Sequence, residues 1–157
     1  MCFKHQKDRE GMSMILADKR DYKHGYQKHL SAYRYLDKSN SNMRSRCLLL
    51  VYSVECGLKC LLLTKWREDN PKNILADKND NRYPIIRSHN LQELLKELGQ
   101  TRFRFPYMTT VHKDPVTSTE YHQLCRYGIR VKEYDKIRQY EQILSEIAVW
   151  IEEEITG

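Results

Sequence analysis

Apolar residues recur at intervals of three and four along most of this chain, which is the spacing of one buried face on an α-helix. The first such stripe follows a polar N-terminal region, and its members are Tyr22, Tyr26, Leu30, Tyr33 and Leu36. Followed along the chain, the pattern predicts helices at about 21–36, 43–66, 91–98, 117–127 and 134–155. We therefore expect an all-α fold, an up-and-down bundle of about five helices.

Single residues mark several ends of these helices. Asp21 is placed to accept the first amide hydrogens of the first helix as its N-cap. Pro71 ends the second helix, because proline lacks the amide donor and restricts the residue before it. Gly99 and Gly128 follow the third and fourth helices, where a glycine commonly ends a helix.

Two helices begin in sequences that fit a capping box, in which residues three apart bond each other's backbone amides. Thr117 and Glu120 have the usual Thr-x-x-Glu form, and Asn90 and Glu93 have a less common Asn form. Ser88 is an alternative cap for the second of these helices. Both motifs predict a helix start inside a polar region.

The regions between the helices differ in character. Residues 1–20 lack sustained periodicity and are predicted to form an irregular N-terminal arm, ahead of a single helical domain over residues 21–157. Residues 67–87 and 100–116 are predicted loops, and residues 129–131 are predicted to be extended. The first loop is long for a compact bundle, so we expect it to be functional or mobile.

Neither a membrane span nor a secretion signal is expected. The longest apolar run, Cys47 to Tyr52, is far shorter than the roughly 20 residues that a membrane helix needs. The segment from Met1 to Asp8 lacks the apolar core of a signal peptide. The sequence therefore predicts a cytoplasmic protein without membrane contact.

The cysteines indicate a reduced core instead of a metal site. The chain has five cysteines and no Cys-x-x-Cys spacing. Cys56 and Cys60 lie one turn apart on the apolar second helix, where reduced cysteines behave as small hydrophobic residues. A zinc site would need two more ligands at a suitable spacing. We predict no metal and no cofactor.

The net charge of +6 is unevenly distributed. Residues 1–46 hold 11 Lys or Arg and 5 Asp or Glu, and residues 99–138 hold 8 and 4. Residues 139–157 hold five Glu and no Lys or Arg. Two basic zones suit a surface for a polyanion, which a partner or the acidic C-terminal helix could screen. Ordinary solvated helix faces explain the same charges, so charge alone leaves both interpretations open.

The layout between Tyr52 and Tyr127 carries a family resemblance. A long apolar helix ends in a polar connector, Ser88-His89-Asn90-Leu91 opens the next helix, and Arg126-Tyr127-Gly128 closes the one after it. This order resembles the HEPN superfamily of small helical bundles. Many HEPN-like proteins close that helix with Arg-Tyr-Pro, and here glycine stands in place of proline.

The resemblance implies two alternative functions. Active HEPN proteins are metal-independent RNases with an Arg, four to six residues and then a His near a dimer interface, and Arg82 and His89 match this spacing. The Arg-Asn-x-x-x-His form of strong RNase members is missing, which favours a binding module over an enzyme. In that case His89 bonds locally to backbone or contacts a ligand.

The resemblance also implies a setting and partners. It implies a protein of a prokaryotic toxin–antitoxin or phage-defence system that binds RNA, a nucleotide or a partner protein. The partner protein could be a nucleotidyltransferase-type antitoxin, and the chain is expected to form a homodimer. The alternative is a metal-independent ribonuclease toxin that uses Arg82 with His89, or Arg126 with His122.

A second group of candidate residues surrounds the end of the fourth helix. His122 and Arg126 are four residues apart and share one helix face, and Arg130 and Lys132 follow the glycine. Arginine offers a planar fork of donors, so this group could hold a phosphate of RNA or a nucleotide. The alternative is structural, with Arg126 bonded to a helix C-terminus and Tyr127 packed in the core.

The segment Arg102-Phe103-Arg104-Phe105 alternates cations with aromatic rings. Such a pattern can grip single-stranded nucleic acid by stacking and charge, which makes Arg102 and Arg104 candidate RNA contacts. The alternative is a strand pair whose phenylalanine rings face the core.

Overall fold

The structure, a computed structural model, describes residues 15–157. The predicted N-terminal arm lies outside the described residues up to position 14, and residues 15–18 have no regular secondary structure. Helix α1 (Lys19–Tyr35) begins at Lys19 because Asp18 is its N-cap. Asp18 and Asp21 each accept a hydrogen bond from the other's backbone amide, at 2.7 and 3.0 Å. The prediction of Asp21 as the N-cap was wrong, since Asp21 is the second member of a capping box.

Six more helices follow α1 within residues 15–157. They are α2 (Met43–Lys65), α3 (Lys72–Leu75), α4 (Tyr83–Ile86), α5 (Leu91–Glu97), α6 (Tyr121–Tyr127) and α7 (Asp135–Thr156). A 3-10 turn at Asn40–Asn42 precedes α2, and two antiparallel strands, β1 (Met108–Thr109) and β2 (Pro115–Val116), lie between α5 and α6. The predicted all-α fold is confirmed, and the five predicted helices correspond to α1, α2, α5, α6 and α7.

Helix α2 is the centre of the bundle, and α1, α5, α6 and α7 pack around it. Apolar residues on several of its sides are completely buried, including Leu50, Val54, Leu58 and Leu62. The segment Asn40–Lys65 is long and apolar enough to cross a membrane, and 61% of its most apolar window is buried inside the bundle. The core helix of a soluble protein meets the same criteria of length and composition.

Gly57 allows α1 and α7 to approach α2 closely. A Cβ atom at this position would lie 2.7 Å from Cγ2 of Ile151 and 2.9 Å from Cδ2 of Tyr26. The Tyr26 hydroxyl donates to the Ala148 carbonyl at 2.7 Å, and the Ser53 hydroxyl donates to the Tyr26 carbonyl at 2.8 Å. These contacts join the three longest helices at one level of the bundle.

The connector after α2 contains two single-turn helices where a loop was predicted. Ile74 of α3 and Ile86 of α4 are 0% and 3% exposed, and they form a small apolar cluster with Leu63. Two short apolar groups in a polar segment produce no periodic signal, which is why the prediction of a loop at 67–87 was wrong for α3 and α4.

The two predicted capping boxes are realised differently from the prediction. Asn90 caps α5 and accepts from the amides of Gln92 and Glu93, but the Glu93 carboxylate accepts from the Ser88 hydroxyl at 2.8 Å. The Asn90 amide also donates to that hydroxyl, so Ser88 completes the motif. The other predicted capping box, Thr117 with Glu120, does not begin a helix at Thr117, because α6 begins at Tyr121.

Thr117 and Glu120 form a turn before α6. The Thr117 amide and hydroxyl both donate to the Glu120 carboxylate, and the Glu120 amide donates to the Thr117 carbonyl. The prediction of a helix start at Thr117 was therefore wrong by one turn. Gly128 ends α6 with φ of 62°, a left-handed conformation that glycine adopts without a steric cost.

Candidate functional site

Arg82 is held in a local ion-pair network. Its Nη2 atom lies 2.7 Å from Asp80 Oδ2, its Nη1 atom lies 3.3 Å from Glu68 Oε1, and its guanidinium carbon is 5.8 Å from the ring centroid of Trp66. The hydrogen bonds from Arg82 lower the pKa of Asp80 to about 2. Through its contact with Glu68, Arg82 therefore links the connector to the segment that follows α2.

His89 has other partners than Arg82. It precedes the N-cap of α5, and its Nδ1 atom lies 2.6 Å from Oε1 of Glu55 on α2. Because a carboxylate accepts, Nδ1 carries the hydrogen of this bond and Nε2 is left for other contacts. The His89 side chain is 64% exposed, so the structure holds one edge of the ring and leaves the rest accessible.

The aromatic neighbour of His89 is the ring of His122 on α6. The two ring centroids are 6.0 Å apart, and their planes are inclined by 47°. Each imidazole was assigned from sequence to a different Arg–His pair, and the fold brings the two imidazoles together. We call His89 and His122 the imidazole pair. Nearby, a hydrogen bond from Thr117 lowers the pKa of Glu120, and the charge of His122 acts in the same direction.

Arg126 and Tyr127 lie on the surface at the end of α6. Tyr127 is 66% exposed, so the alternative interpretation that packed it in the core was wrong. The guanidinium carbon of Arg126 is 5.4 Å from the Tyr127 ring centroid. The bond to the C-terminus of α6 comes from Arg44, whose Nη1 atom donates to the Leu124 carbonyl at 3.0 Å. Arg126 is therefore not needed for that role.

Arg130 and Lys132 extend this surface along an edge of the small sheet. Thr110 forms a β-bridge with Val131, the Val111 amide donates to the Arg130 carbonyl, and the Lys132 amide donates to the Thr109 carbonyl. Alternate residues of an extended segment face opposite sides, so Arg130 and Lys132 share the side away from Val131. Both are exposed, while Val131 packs against the core.

We call Arg126, Tyr127, Arg130 and Lys132 the basic surface. Its members come from the end of α6 and from the segment that follows Gly128. It presents three permanent positive charges and one accessible aromatic ring within seven residues of chain.

The Arg102–Phe105 segment divides between surface and core. Arg102 and Arg104 are exposed. The Phe103 ring lies 6.2 Å from that of Trp150, and the Phe105 ring is stacked on Tyr140 at 5.0 Å. Both phenylalanines thus contribute to the core, as the alternative interpretation held, although the segment is not part of a strand. Arg102 and Arg104 are thus the exposed side chains of this segment, and Phe105 is half-buried.

No protein-family profile, curated protein or solved structure gave a significant match to this chain. Within residues 15–157, no group of three or more His, Cys, Asp or Glu is arranged to hold a metal ion.

Sequence reasoning missed Glu55 and the exposure of Tyr127. A signal for Glu55 did exist, because Glu55 and Lys59 are the charged residues within the apolar central part of α2, residues 47–63. A charge at such a position needs a partner or a route to water. The partner could not be named, since it is His89, which lies 34 residues away and just before α5.

Proposed function

We propose that this protein binds single-stranded RNA through the basic surface. The observation that carries the proposal is the exposed Arg126–Tyr127 contact, followed by Arg130 and Lys132 on one side of an extended segment. Cations track a phosphate backbone, and an exposed aromatic ring provides a face on which a base stacks. The imidazole pair adds donors beside the same helix, because His122 and Arg126 are one turn apart on α6.

Fluorescence anisotropy with a labelled single-stranded RNA tests this proposal. We expect Tyr127→Ala to weaken binding by about 5- to 150-fold, since stacking on one base contributes about 1–3 kcal/mol. Arg126→Ala should also weaken binding, and both variants should unfold at the wild-type temperature because the two side chains are exposed. Lys28→Ala removes an exposed charge from α1 and serves as the matched control. Equal affinity of Tyr127→Ala, Arg126→Ala and the control would contradict the proposal.

A second candidate function is metal-independent RNA cleavage, and the imidazole pair favours it. One imidazole could take the proton of the 2′-hydroxyl while the other protonates the leaving oxygen, and positioned acid–base groups contribute about 10²–10⁴ in rate. Glu55 fixes the tautomer and orientation of His89 for such a role. This candidate replaces the expected Arg82–His89 pair with His89 and His122, because Arg82 is engaged by Asp80 and Glu68.

Incubation of the purified protein with total RNA in EDTA tests the second candidate. Cleavage that is lost in both His89→Ala and His122→Ala, and weakened in Glu55→Gln, would support it. Arg82→Ala is the informative comparison, since it should keep cleavage if the imidazole pair is the site. If the wild-type protein binds RNA in a salt-sensitive way but leaves it intact, the result would support RNA binding without cleavage.

The wider setting rests on the HEPN resemblance. We propose a cytoplasmic homodimer of a prokaryotic toxin–antitoxin or phage-defence system, with a nucleotidyltransferase-type antitoxin as a possible protein partner. Light scattering on the purified chain measures the oligomer, and a mass near twice 18.9 kDa is expected for the homodimer. A mass of one chain at all concentrations would contradict it.

A further inference from the structure

Lys59 has a buried side-chain stem and an ammonium group that still reaches solvent. It lies on α2, one turn after Glu55, and its side chain belongs to a residue that is only 6% exposed. Its ammonium group makes no hydrogen bond or ion pair with any residue from 15 to 157. A lysine can bury its alkyl stem while its ammonium group stays in contact with water. Burial lowers the pKa of Lys59, and the charge of Glu55 acts in the opposite direction.

The Lys59 side chain lines a cavity of about 260 Å³. Arg87 and His89 line the same cavity, and apolar side chains such as Leu75 and Ile86 form part of its wall. The Arg87 guanidinium lies on Tyr83, to whose hydroxyl oxygen it donates at 2.6 Å. The cavity therefore combines the ammonium of a largely buried lysine, a guanidinium bonded to Tyr83 and an imidazole that is oriented by Glu55.

We propose that this cavity, which we call the Lys59 pocket, binds a small molecule that carries a phosphate monoester. Lys59 and Arg87 supply two positive charges, and the carboxylate one turn before Lys59, that of Glu55, is bonded to His89. A dianionic phosphate matches this balance, with lysine as a point charge and arginine as a planar fork. The volume lies just below the usual range of ligand pockets, about 300–1,000 Å³, which suits a phosphate on a small body.

This inference goes beyond RNA binding and does not depend on it. The Lys59 pocket draws on α2, α3 and α4, whereas the basic surface belongs to the end of α6 and the segment after it. His89 is the one residue that the Lys59 pocket shares with the imidazole pair. Loss of small-ligand binding and loss of RNA binding can therefore be measured separately in the same variants.

Calorimetric titration with phenyl phosphate tests the proposal, with benzoate as a carboxylate of similar size. The wild-type protein should bind phenyl phosphate more tightly than benzoate. Lys59→Met should weaken phenyl phosphate binding at least about tenfold, since it removes the positive charge and keeps the length of the side chain. Lys65→Met, which neutralises an exposed lysine on the same helix, is the control and should bind as the wild type does.

A second readout separates a ligand site from a structural lysine. If Lys59 serves a ligand, Lys59→Met should unfold at the wild-type temperature or higher, because methionine keeps the buried stem and no hydrogen bond or ion pair within residues 15–157 is lost. Arg87→Met, at an exposed position, should also lower the affinity for phenyl phosphate. This second variant keeps the proposal testable if Lys59→Met does not fold. Three results would overturn the proposal: no binding by the wild type at about 10 mM phenyl phosphate, tighter binding of benzoate, or unchanged affinity in Arg87→Met.

Discussion

Arg46 and Lys59 are both largely buried cationic residues of α2, and their surroundings differ. The Nε atom of Arg46 is 2.9 Å from Oε2 of Glu141, and its Nη1 atom donates to the carbonyls of Asp37 and Ser39. Lys59 has no such partners among residues 15–157. A buried charge that is paired within the fold is part of the scaffold, whereas the ammonium of Lys59 keeps its contact with solvent and is the group that we propose for ligand binding.

Replacement of Arg46 should therefore be strongly destabilising. We expect Arg46→Ala to lower the free energy of unfolding by about 3–5 kcal/mol, because Glu141 is left as a buried charge without its partner. Urea denaturation measures this change. Arg34→Ala is the matched control, since the Arg34–Glu152 pair is more than half exposed on both sides, and its loss should cost less than about 1 kcal/mol. Similar losses in the two variants would contradict this interpretation of Arg46.

The Arg82–Asp80 pair should appear in the pH dependence of stability. The pKa of Asp80 is about 2 in the folded chain, below its ordinary value near 3.8, so this carboxylate stabilises the fold at pH values above about 4. That contribution is lost as the pH falls from about 4 through 2. Thermal denaturation of the wild type and Asp80→Asn across this range measures it. The variant should be less stable at pH 6, and the difference should shrink toward pH 2. A difference that stays constant with pH would count against the pair.

At the scale of elements, the long helices were predictable and their contacts were not. Repeated apolar residues and local end signals predicted the bounds of α2 and α7 to within one residue. This was possible because both features depend only on residues that are close in the sequence. The helices α3 and α4 were missed because each buries a single isoleucine in a polar segment.

The candidate site was predictable only in part, for a related reason. The sequence identified His89, His122 and Arg126 as chemically interesting residues. The proximity of these three side chains depends on how α5 and α6 pack on α2. Local sequence patterns do not predict that packing. The expected Arg82–His89 pair came from spacing alone, and the fold gave the two side chains different partners.

The closest approach of helices occurs at Gly57, and it provides a test of the packing. Alanine stabilises a helix by about 1 kcal/mol relative to glycine. At position 57, however, the alanine Cβ atom would lie 2.7 Å from Ile151 and 2.9 Å from Tyr26. We expect overpacking to dominate, so Gly57→Ala should destabilise the fold by about 1–3 kcal/mol.

Gly25→Ala is the control for this prediction. Its Cβ atom would meet only the side chain of Cys56, at 3.1 Å and beyond, so a smaller effect of either sign is expected. Guanidinium denaturation of the two variants measures the difference. A stabilised Gly57→Ala protein would show that α1, α2 and α7 are packed less closely than the structure has them.

At the scale of the whole molecule, charge is separated between the two ends of the sequence. Helix α7 carries five glutamates, and two of them are used within the fold, Glu141 by Arg46 and Glu152 by Arg34. These two carboxylates therefore serve α1 and α2, and they do not screen the basic surface. A polyanion is the ligand that we propose for the exposed cations of the basic surface.

The salt dependence of RNA affinity tests this central claim most directly. For single strands, the logarithm of the affinity falls with the logarithm of salt concentration by about 0.7 per neutralised phosphate. The double variant Arg130→Ala/Lys132→Ala should therefore have a slope that is shallower by about 1.4, together with weaker binding at low salt. Lys28→Ala/Lys78→Ala removes the same charge from α1 and the connector and should keep the wild-type slope. If both double variants change the slope equally, or neither does, RNA is not bound at the basic surface.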